Sequence, residues 1–536
     1  MPIFGTDSPP SHLRDCLNSL VKQTYPHWEL CIASQVSDLQ ELDKFQRRFS
    51  SQIKIADGQL NQTAATLYNK ALELVSGQYT ILLEPSDLLT QDALSEIANA
   101  IQQSVDTIDM LYSDEDKVNE SGFFDEPYFK PDWSPNLLYG HNYTGQLSVY
   151  RTDLLKEIGG FREELSDQAL WDMVFRLTEK SHQILHIPKI LYHRRKQPLE
   201  PVNKNLILKV VQEALNREKQ GGYVTPNPVA PTGLLVHYPV KGQPLVSIII
   251  PTKDMAQTVA QCIDAIRNIT TYPNWEIVVV DNGSTEADTF ALFEKYQTEL
   301  GDAFRVCRQD KPFNFSQLMN EGVKIAKGDI ILLLNNDTEI VGPPDWLQAM
   351  IGFAQHPKIG VVGCKLLYPQ DKTIQHAGLI CGIGGVANPG HKYFPADSPG
   401  YFNRLAVVAN YSAITGACLM VERKLWEQVK GFDENLAIAF NDVDFCLKLL
   451  NKGFYHVVLP YVTFYHYESK SRGLENTVTK KKRLQSEEAY MRQRWGALLQ
   501  NDPFYNPHLT KKVEDFRLAS DSIYYCEDAK KWWQRL

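Results

Sequence analysis

Gly328-Asp329-Ile330-Ile331-Leu332-Leu333-Leu334-Asn335-Asn336-Asp337-Thr338-Glu339 is the stretch on which the reading of the whole chain turns. The aliphatic run Ile330 to Leu334 has the length and continuous apolarity of a strand buried on both faces of a parallel sheet. It runs straight into amides and carboxylates. In an open α/β sheet the carboxyl ends of the strands face the binding crevice. If the strand stays extended to Asp337, Asn335 and Asp337 face one ligand, and their oxygens suit a hard divalent cation shared with substrate phosphates. A polar turn that merely caps a buried strand would read the same way.

Composition narrows the classes. The chain has 536 residues, 43% hydrophobic and 22% charged, which suffices for large cores and suggests roughly two to four domains. A net charge of -9 argues against a nucleic-acid binder, which needs a basic patch to displace counterions. Anionic membranes are disfavoured for the same reason. No run approaches the ~18 apolar residues of a transmembrane helix, and no basic-then-apolar leader opens the sequence, so a cytoplasmic protein is expected. The nine cysteines are scattered without a CxxC pair and read as reduced, mostly buried thiols.

A long internal repeat organises the chain. Tyr25-Pro26-His27-Trp28-Glu29 precedes the apolar run Leu30 to Ala33, as Tyr272-Pro273-Asn274-Trp275-Glu276 precedes Ile277 to Val280. Gly77 to Glu84 answers Gly328 to Asn335, Gly160-Phe161 answers Gly431-Phe432, and Leu191-Tyr192-His193 answers Phe464-Tyr465-His466. Leu111 to Lys117, with its acidic triplet Asp114-Glu115-Asp116, answers Leu367 to Lys372. The spacing between partners drifts slowly, so two copies of one domain of ~200 or more residues are expected, far longer than solenoid repeats.

Each copy alternates strand runs with segments of helical spacing. In the second, Val246 to Ile250, Ile277 to Val280 and Ile330 to Leu334 read as strands, and Ala256 to Asn268 and Ala287 to Leu300 as helices. That order predicts right-handed βαβ units and a mostly parallel sheet with flanking helices. The boundaries expected are a first domain over 1–220, ending in a helix from Asn203 to Gln220, and a linker over 221–244, rich in proline. A second domain follows over 245–473, and a helical C-terminal extension over 474–536 packs through Trp495, Tyr505, Phe516 and Trp532.

Four motifs in order, Val246-Ser247-Ile248-Ile249-Ile250-Pro251-Thr252-Lys253-Asp254, Val279-Val280-Asp281-Asn282-Gly283-Ser284-Thr285, Leu334-Asn335-Asn336-Asp337 and Asn441-Asp442-Val443-Asp444, make the chain resemble a family 2 glycosyltransferase of the GT-A fold. The tandem form is similar to bacterial proteins of O-antigen and cell-surface polysaccharide assembly. The resemblance implies transfer of a sugar from a nucleotide-diphosphate donor to a saccharide or lipid-linked saccharide. A lipid-linked acceptor would bring the protein peripherally to the inner membrane face. It also implies a divalent metal, Mn2+ or Mg2+, held by Asp337, with His466 as a further ligand. Asn335 stands where the family has a carboxylate. Thr252, Asp254 and Asp281 would hold base and ribose, with Asn314, Ser316 and Asn320 completing the nucleotide pocket.

Plainer readings exist for several of these. His466 between two tyrosines can be a packed or surface histidine, and its twin His193 favours that. Asp281 can be a turn carboxylate, and Asn314 or Ser316 a helix N-cap. The family's Glu-Asp becomes Asn441-Asp442, which keeps Asp442 as the implied general base of an inverting transfer, while both aspartates can also serve as caps. Gln375-His376-Ala377-Gly378 and the stretch from Gly382 to Pro399 read as a mobile loop near the site, and Thr415-Gly416-Ala417-Cys418 as an acceptor wall.

The first copy has lost these groups. Ala33-Ser34-Gln35 replaces the Asp281 motif, Glu84-Pro85-Ser86-Asp87 places Ser86 at the position of Asp337, and Leu170 falls opposite Asp442. Its first strand is expected to be absent or cut short, as a late start at Met1 would also make it. The acidic triplet reads as a solvated turn. A degenerate first domain beside an active second one is the expectation. A bifunctional enzyme and a non-catalytic saccharide- or partner-binding scaffold are the alternatives.

Overall fold

The computed structural model describes residues 1–4, 10–36, 40–119, 121–145, 147–195, 203–468 and 477–524. Trp532 lies outside them. The chain forms two compact units, one of Met1–Trp133 and Asn142–Lys219 with Ile523 and Tyr524, the other of Ser134–His141 and Gln220–Ser522.

The second unit is built on one mixed sheet. Its strands run in the order Phe304–Arg308, Trp275–Asp281, Val246–Thr252, Ile330–Leu334, Cys418–Glu422, Ile359–Leu367, Tyr455–His466 and Thr338–Gly342, with two short strands paired alongside. The first four are mutually parallel, joined by Val246↔Trp275, Val246↔Ile330 and Ile277↔Phe304. Beyond Ile330–Leu334 the expected parallel pattern gives way. Cys418–Glu422 is antiparallel to both its neighbours, and Thr338–Gly342 is antiparallel to Tyr455–His466. The helices Ala256–Ile269 and Ala287–Leu300 fall where helical spacing put them. Ile330–Leu334 is buried throughout, as continuous apolarity requires of a strand covered on both faces. The strand Phe304–Arg308 was not read from the sequence, because only Phe304 is buried and two of its five residues are arginines.

Between the copies, 221–244 carries an antiparallel pair, Tyr223–Pro226 with Leu234–His237. Among the described residues after 473 there is one helix, Val478–Gln500, followed by irregular chain in which Tyr505 and Phe516 are buried. Among the described residues no helix is long and apolar enough to cross a membrane. All eight described cysteines are free.

The first unit splits the same design in two. Pro2–Ile3, Leu30–Ser34 and Ile53–Asp57 form a parallel three-stranded sheet, while Tyr79–Ile81 edges a separate one with Ser148–Arg151, Met110–Val118, Ile184–Arg195 and Leu88–Leu89. The acidic triplet needs correction, because it lies inside the strand Met110–Val118 and not in a solvated turn. Asp114 and Asp116 are buried, which a carboxylate tolerates only when partnered. Asp114 bonds His186 and the Lys130 amide, Glu115 pairs with Lys130 Nζ, and Asp116 bonds His193. Strand register corrects a second expectation. Leu88 pairs with His193 as Thr338 pairs with His466, so Asp87 and not Ser86 stands where Asp337 does. Counting along the sequence placed it one residue off.

Candidate active site

The site forms where the parallel strands of the second unit end. Thr252 and Asp281 close neighbouring strands and are register partners. The Asn282 amide donates to Thr252 O at 2.8 Å. Thr252 Oγ1 accepts from Asn336 Nδ2 at 3.0 Å, which ties the first strand to the turn after the apolar run. Asn336 was not singled out by the sequence reading.

Asp281 is buried, and both its oxygens are engaged. Oδ1 accepts from the Ser284 amide at 2.9 Å and from its hydroxyl, and Oδ2 takes Arg308 Nη1 at 2.8 Å. Arg308 was also missed, because it closes the unread strand Phe304–Arg308, where Asp281↔Arg308 are partners. Asp254 lies in a left-handed turn with φ 53°. Its Oδ1 accepts the Thr285 and Glu286 amides at 2.7 and 2.9 Å, which holds its carboxyl below the ordinary range. These bonds tie the motif Asp281 to Thr285 to the first strand's end.

Asn335, Asp337 and His466 come together. Thr338↔His466 pairing brings the histidine beside the run's end. His466 Nε2 is 3.2 Å from Asp337 Oδ1 and 3.3 Å from Asn335 Nδ2. Its Nδ1 meets Gln375 Oε1 at 2.6 Å. A side-chain carbonyl there makes Nδ1 the donor and directs Nε2 toward Asp337, the orientation that outer partners give a metal-ligating histidine. Gln375 Nε2 continues to Glu468 Oε2 at 3.1 Å. The expected mobile loop is therefore a buried, paired segment here. Ile374–His376 is a short strand beside Ile359–Leu367, and Gln375 and His376 are both buried. His376 is pushed down to about 3 by burial and by His466, so it stays neutral.

Two residues can hold a cation together, one anionic oxygen and one imidazole nitrogen. Among the described residues no group of three or more His, Cys, Asp or Glu side chains does so. The pair fits Mn2+ or Mg2+ when most other positions are taken by water and substrate phosphate, which is how such ions are usually bound.

Asp442 opens the helix Asn441–Leu450. Its Oδ2 accepts the Gly416 amide and Oδ1 that of Val443, each at 2.8 Å. Burial nevertheless raises its carboxyl above the ordinary range. Cys418 pairs with Leu334, and the Asn335 amide donates to Ala417 O at 3.0 Å. Thr415-Gly416-Ala417 thus bridges the end of the apolar run and Asp442. A Cβ on Gly416 would lie 3.6 Å from Asp442 Cβ, an ordinary contact, so packing does not demand the glycine.

Asn314 and Asn320 are engaged with nearby backbone. Asn314 caps the helix Phe315–Ile325, accepting the Gln317 amide at 3.0 Å, and donates to Glu434 O. Asn320 exchanges two bonds with the Phe432 backbone, each 3.0 Å. Ser316 Oγ donates to Leu436 O. All three pin the loop that leads to Asp442.

Carboxylates and a histidine gathered at the carboxyl ends of parallel strands stand where α/β proteins take their ligands. The family model "Glycosyl transferase family 2" matches residues 1–159 and 247–421, more than half of the chain and part of both copies. The chain belongs to glycosyl transferase family 2. Asp442 and His466 lie beyond the matched residues. An uncharacterized protein of Sinorhizobium fredii, y4gI, is 39% identical across 97% of this chain and 58% of its own length. The O-antigen biosynthesis protein RfbC of Myxococcus xanthus is 33% identical across 95% of this chain and 40% of its own. The chain thus spans less than two thirds of either relative. A mannosyltransferase of Pyrobaculum calidifontis, solved with GDP-Man and Mn2+, is 18% identical over 55% of this chain and 78% of its own, with a TM-score of 0.36.

Proposed function

We propose that the second unit transfers a sugar, with inversion, from a nucleoside-diphosphate donor to a hydroxyl of a saccharide or lipid-linked saccharide. The observation that carries this reading is Asp442. It is a half-buried carboxylate with a raised pKa, linked through Gly416-Ala417 to the strand end that bears Asp337. Such a group can take the acceptor proton as the new C–O bond forms at the anomeric carbon. The old C–O bond breaks on the opposite face, and its electron pair leaves with the diphosphate. Base catalysis of this kind contributes ~10²- to 10⁴-fold. Asp337 and His466 would hold a divalent cation, Mn2+ or Mg2+, whose charge offsets that of the departing diphosphate. Thr252, Asp281 and Arg308 border the crevice where a nucleoside would lie. The O-antigen relative favours a role in bacterial surface polysaccharide synthesis.

The first unit is proposed to be inactive. Asp87, at the place of Asp337, is fully buried and receives the Tyr192 hydroxyl, and burial with neighbouring Glu84 raises it to about 7. His193 is turned to Asp116 and stacked by Phe124 at 4.0 Å.

Thermal-shift measurements with UDP-, GDP- and dTDP-sugars, with and without Mn2+, test the reading, since a ligand of the native state raises stability with occupancy. One donor is expected to raise Tm further with Mn2+, and Asp337→Ala to lose that increment. Asp442→Asn is expected to keep donor binding and lose at least ~10²-fold in transfer. If no donor shifts Tm, or Asp442→Asn turns over like the parent, the reading is wrong.

A further inference from the structure

The loop before Asp442 is held in a conformation its own sequence does not favour. Phe440, immediately before the helix Asn441–Leu450, has φ 62° and ψ 7°, a left-handed position uncommon for a bulky side chain. Something must supply the energy that keeps it there. On one side, Phe315 N donates to Ala437 O at 2.7 Å, and Asn441 Nδ2 reaches Ile438 O at 3.2 Å. On the other side stands the helix Val478–Gln500.

One face of that helix meets the loop, since residues spaced by three, four and seven share a side. Glu487 Oε1 accepts the Ile438 amide at 2.9 Å, and Oε2 accepts the Ala439 amide at 3.3 Å. Tyr490 and Arg494 each donate to Asp433 Oδ2 at 2.7 Å. Trp495 Nε1 donates to Asp444 Oδ1 at 2.8 Å. Glu487 is only 3% exposed, and its cationic neighbour is Arg483 at 3.4 Å. Burying a carboxylate is costly unless its oxygens are satisfied. Here they are spent on two backbone amides directly ahead of the base.

We propose that Glu487 is a positioning residue for the transfer reaction. By holding Ile438 and Ala439 it fixes the Phe440 turn and so aims Asp442 at Gly416 and the acceptor side of the crevice. This makes the helix Val478–Gln500, which lies outside the family-model match, part of the catalytic apparatus. The inference rests on Asp442 being the base.

The test uses the full chain and the donor identified by thermal shift, with nucleotide release as the readout. Glu487→Gln keeps the side chain's size but puts an NH2 where one amide needs an acceptor. It is expected to lower kcat about tenfold, within the range that small misplacements of a reacting group cost. Donor KM and the Mn2+-dependent Tm increment are expected to stay as in the parent. The bonds from Gly416 and Val443 lower the Asp442 carboxyl, so loosening them should move the acidic limb of kcat to higher pH. A merely structural glutamate would lower Tm and leave that limb in place. If Glu487→Gln does not fold, Trp495→Phe, which removes the bond to Asp444 and keeps an aromatic ring, carries the same expectation. Should Asp442→Asn abolish release while these variants keep parental kcat and limb, the inference alone is overturned. Should Asp442→Asn release nucleotide normally, the base reading falls and the inference with it.

Discussion

Asp337 and Asp87 hold equivalent places before paired histidine-bearing strands and end in opposite chemistry. Beside Asp337, His466 places Nε2 at 3.2 Å while its Nδ1 meets Gln375. Asp87 instead receives a tyrosine hydroxyl. Its carboxyl, ordinarily near 4, is raised to about 7 by burial first and by Glu84 second. Between those values the folded state binds more protons than the unfolded one, so stability falls as pH rises through the window. The penalty is absent below about pH 4 and complete above about pH 7. Asp87→Asn is therefore expected to raise Tm by several degrees at pH 8 and to change it little at pH 4. Equal shifts at both pH values would show that Asp87 is not held protonated. None of this was legible in the sequence, where counting put Ser86 opposite Asp337. Only hydrogen-bond register distinguishes neighbours in a strand whose side chains alternate faces.

At the scale of elements, the helices and the buried central strands followed from spacing, because a 3.6-residue period and a continuous apolar run each have one economical burial. What spacing did not reveal was the partners of residues that meet from distant parts of the chain. Asn320 matches the family's nucleotide side, yet its amide clamps Phe432, and Asn69 clamps Phe161 in the same way at 2.7 and 2.8 Å. The glycines before those phenylalanines, Gly160 and Gly431, have φ 63° and 62°. A Cβ on either would lie 2.6 Å from the asparagine Oδ1, so the approach requires glycine. A clamp repeated in both copies belongs to the fold. Asn320→Ala is thus expected to cost about 1–3 kcal/mol in urea unfolding, the usual cost of orphaned backbone groups. The donor-induced Tm shift should persist. Loss of that shift at unchanged stability would return Asn320 to the nucleotide pocket.

On the scale of the whole molecule, duplication was legible because paired motifs recur in order, and it supplies an internal comparison that a single copy lacks. In the second unit Val246 to Ile249 pair with Ile330 to Leu333 and join the two halves of the sheet. In the first unit, among the described residues, Pro2–Ile3 occupy that line, pairing with Ala33 and Ser34 as Pro251 and Thr252 pair with Val280 and Asp281. A cavity of about 680 Å³ lies beyond them, lined among others by Met1, Leu30, Cys31, Ala71, Tyr79 and Ile81. Leu30 and Cys31 belong to one of the first unit's sheets and Tyr79 and Ile81 to the other, so both sheets border the space, and the two copies share motifs without sharing the strand pairing that makes one sheet of the second.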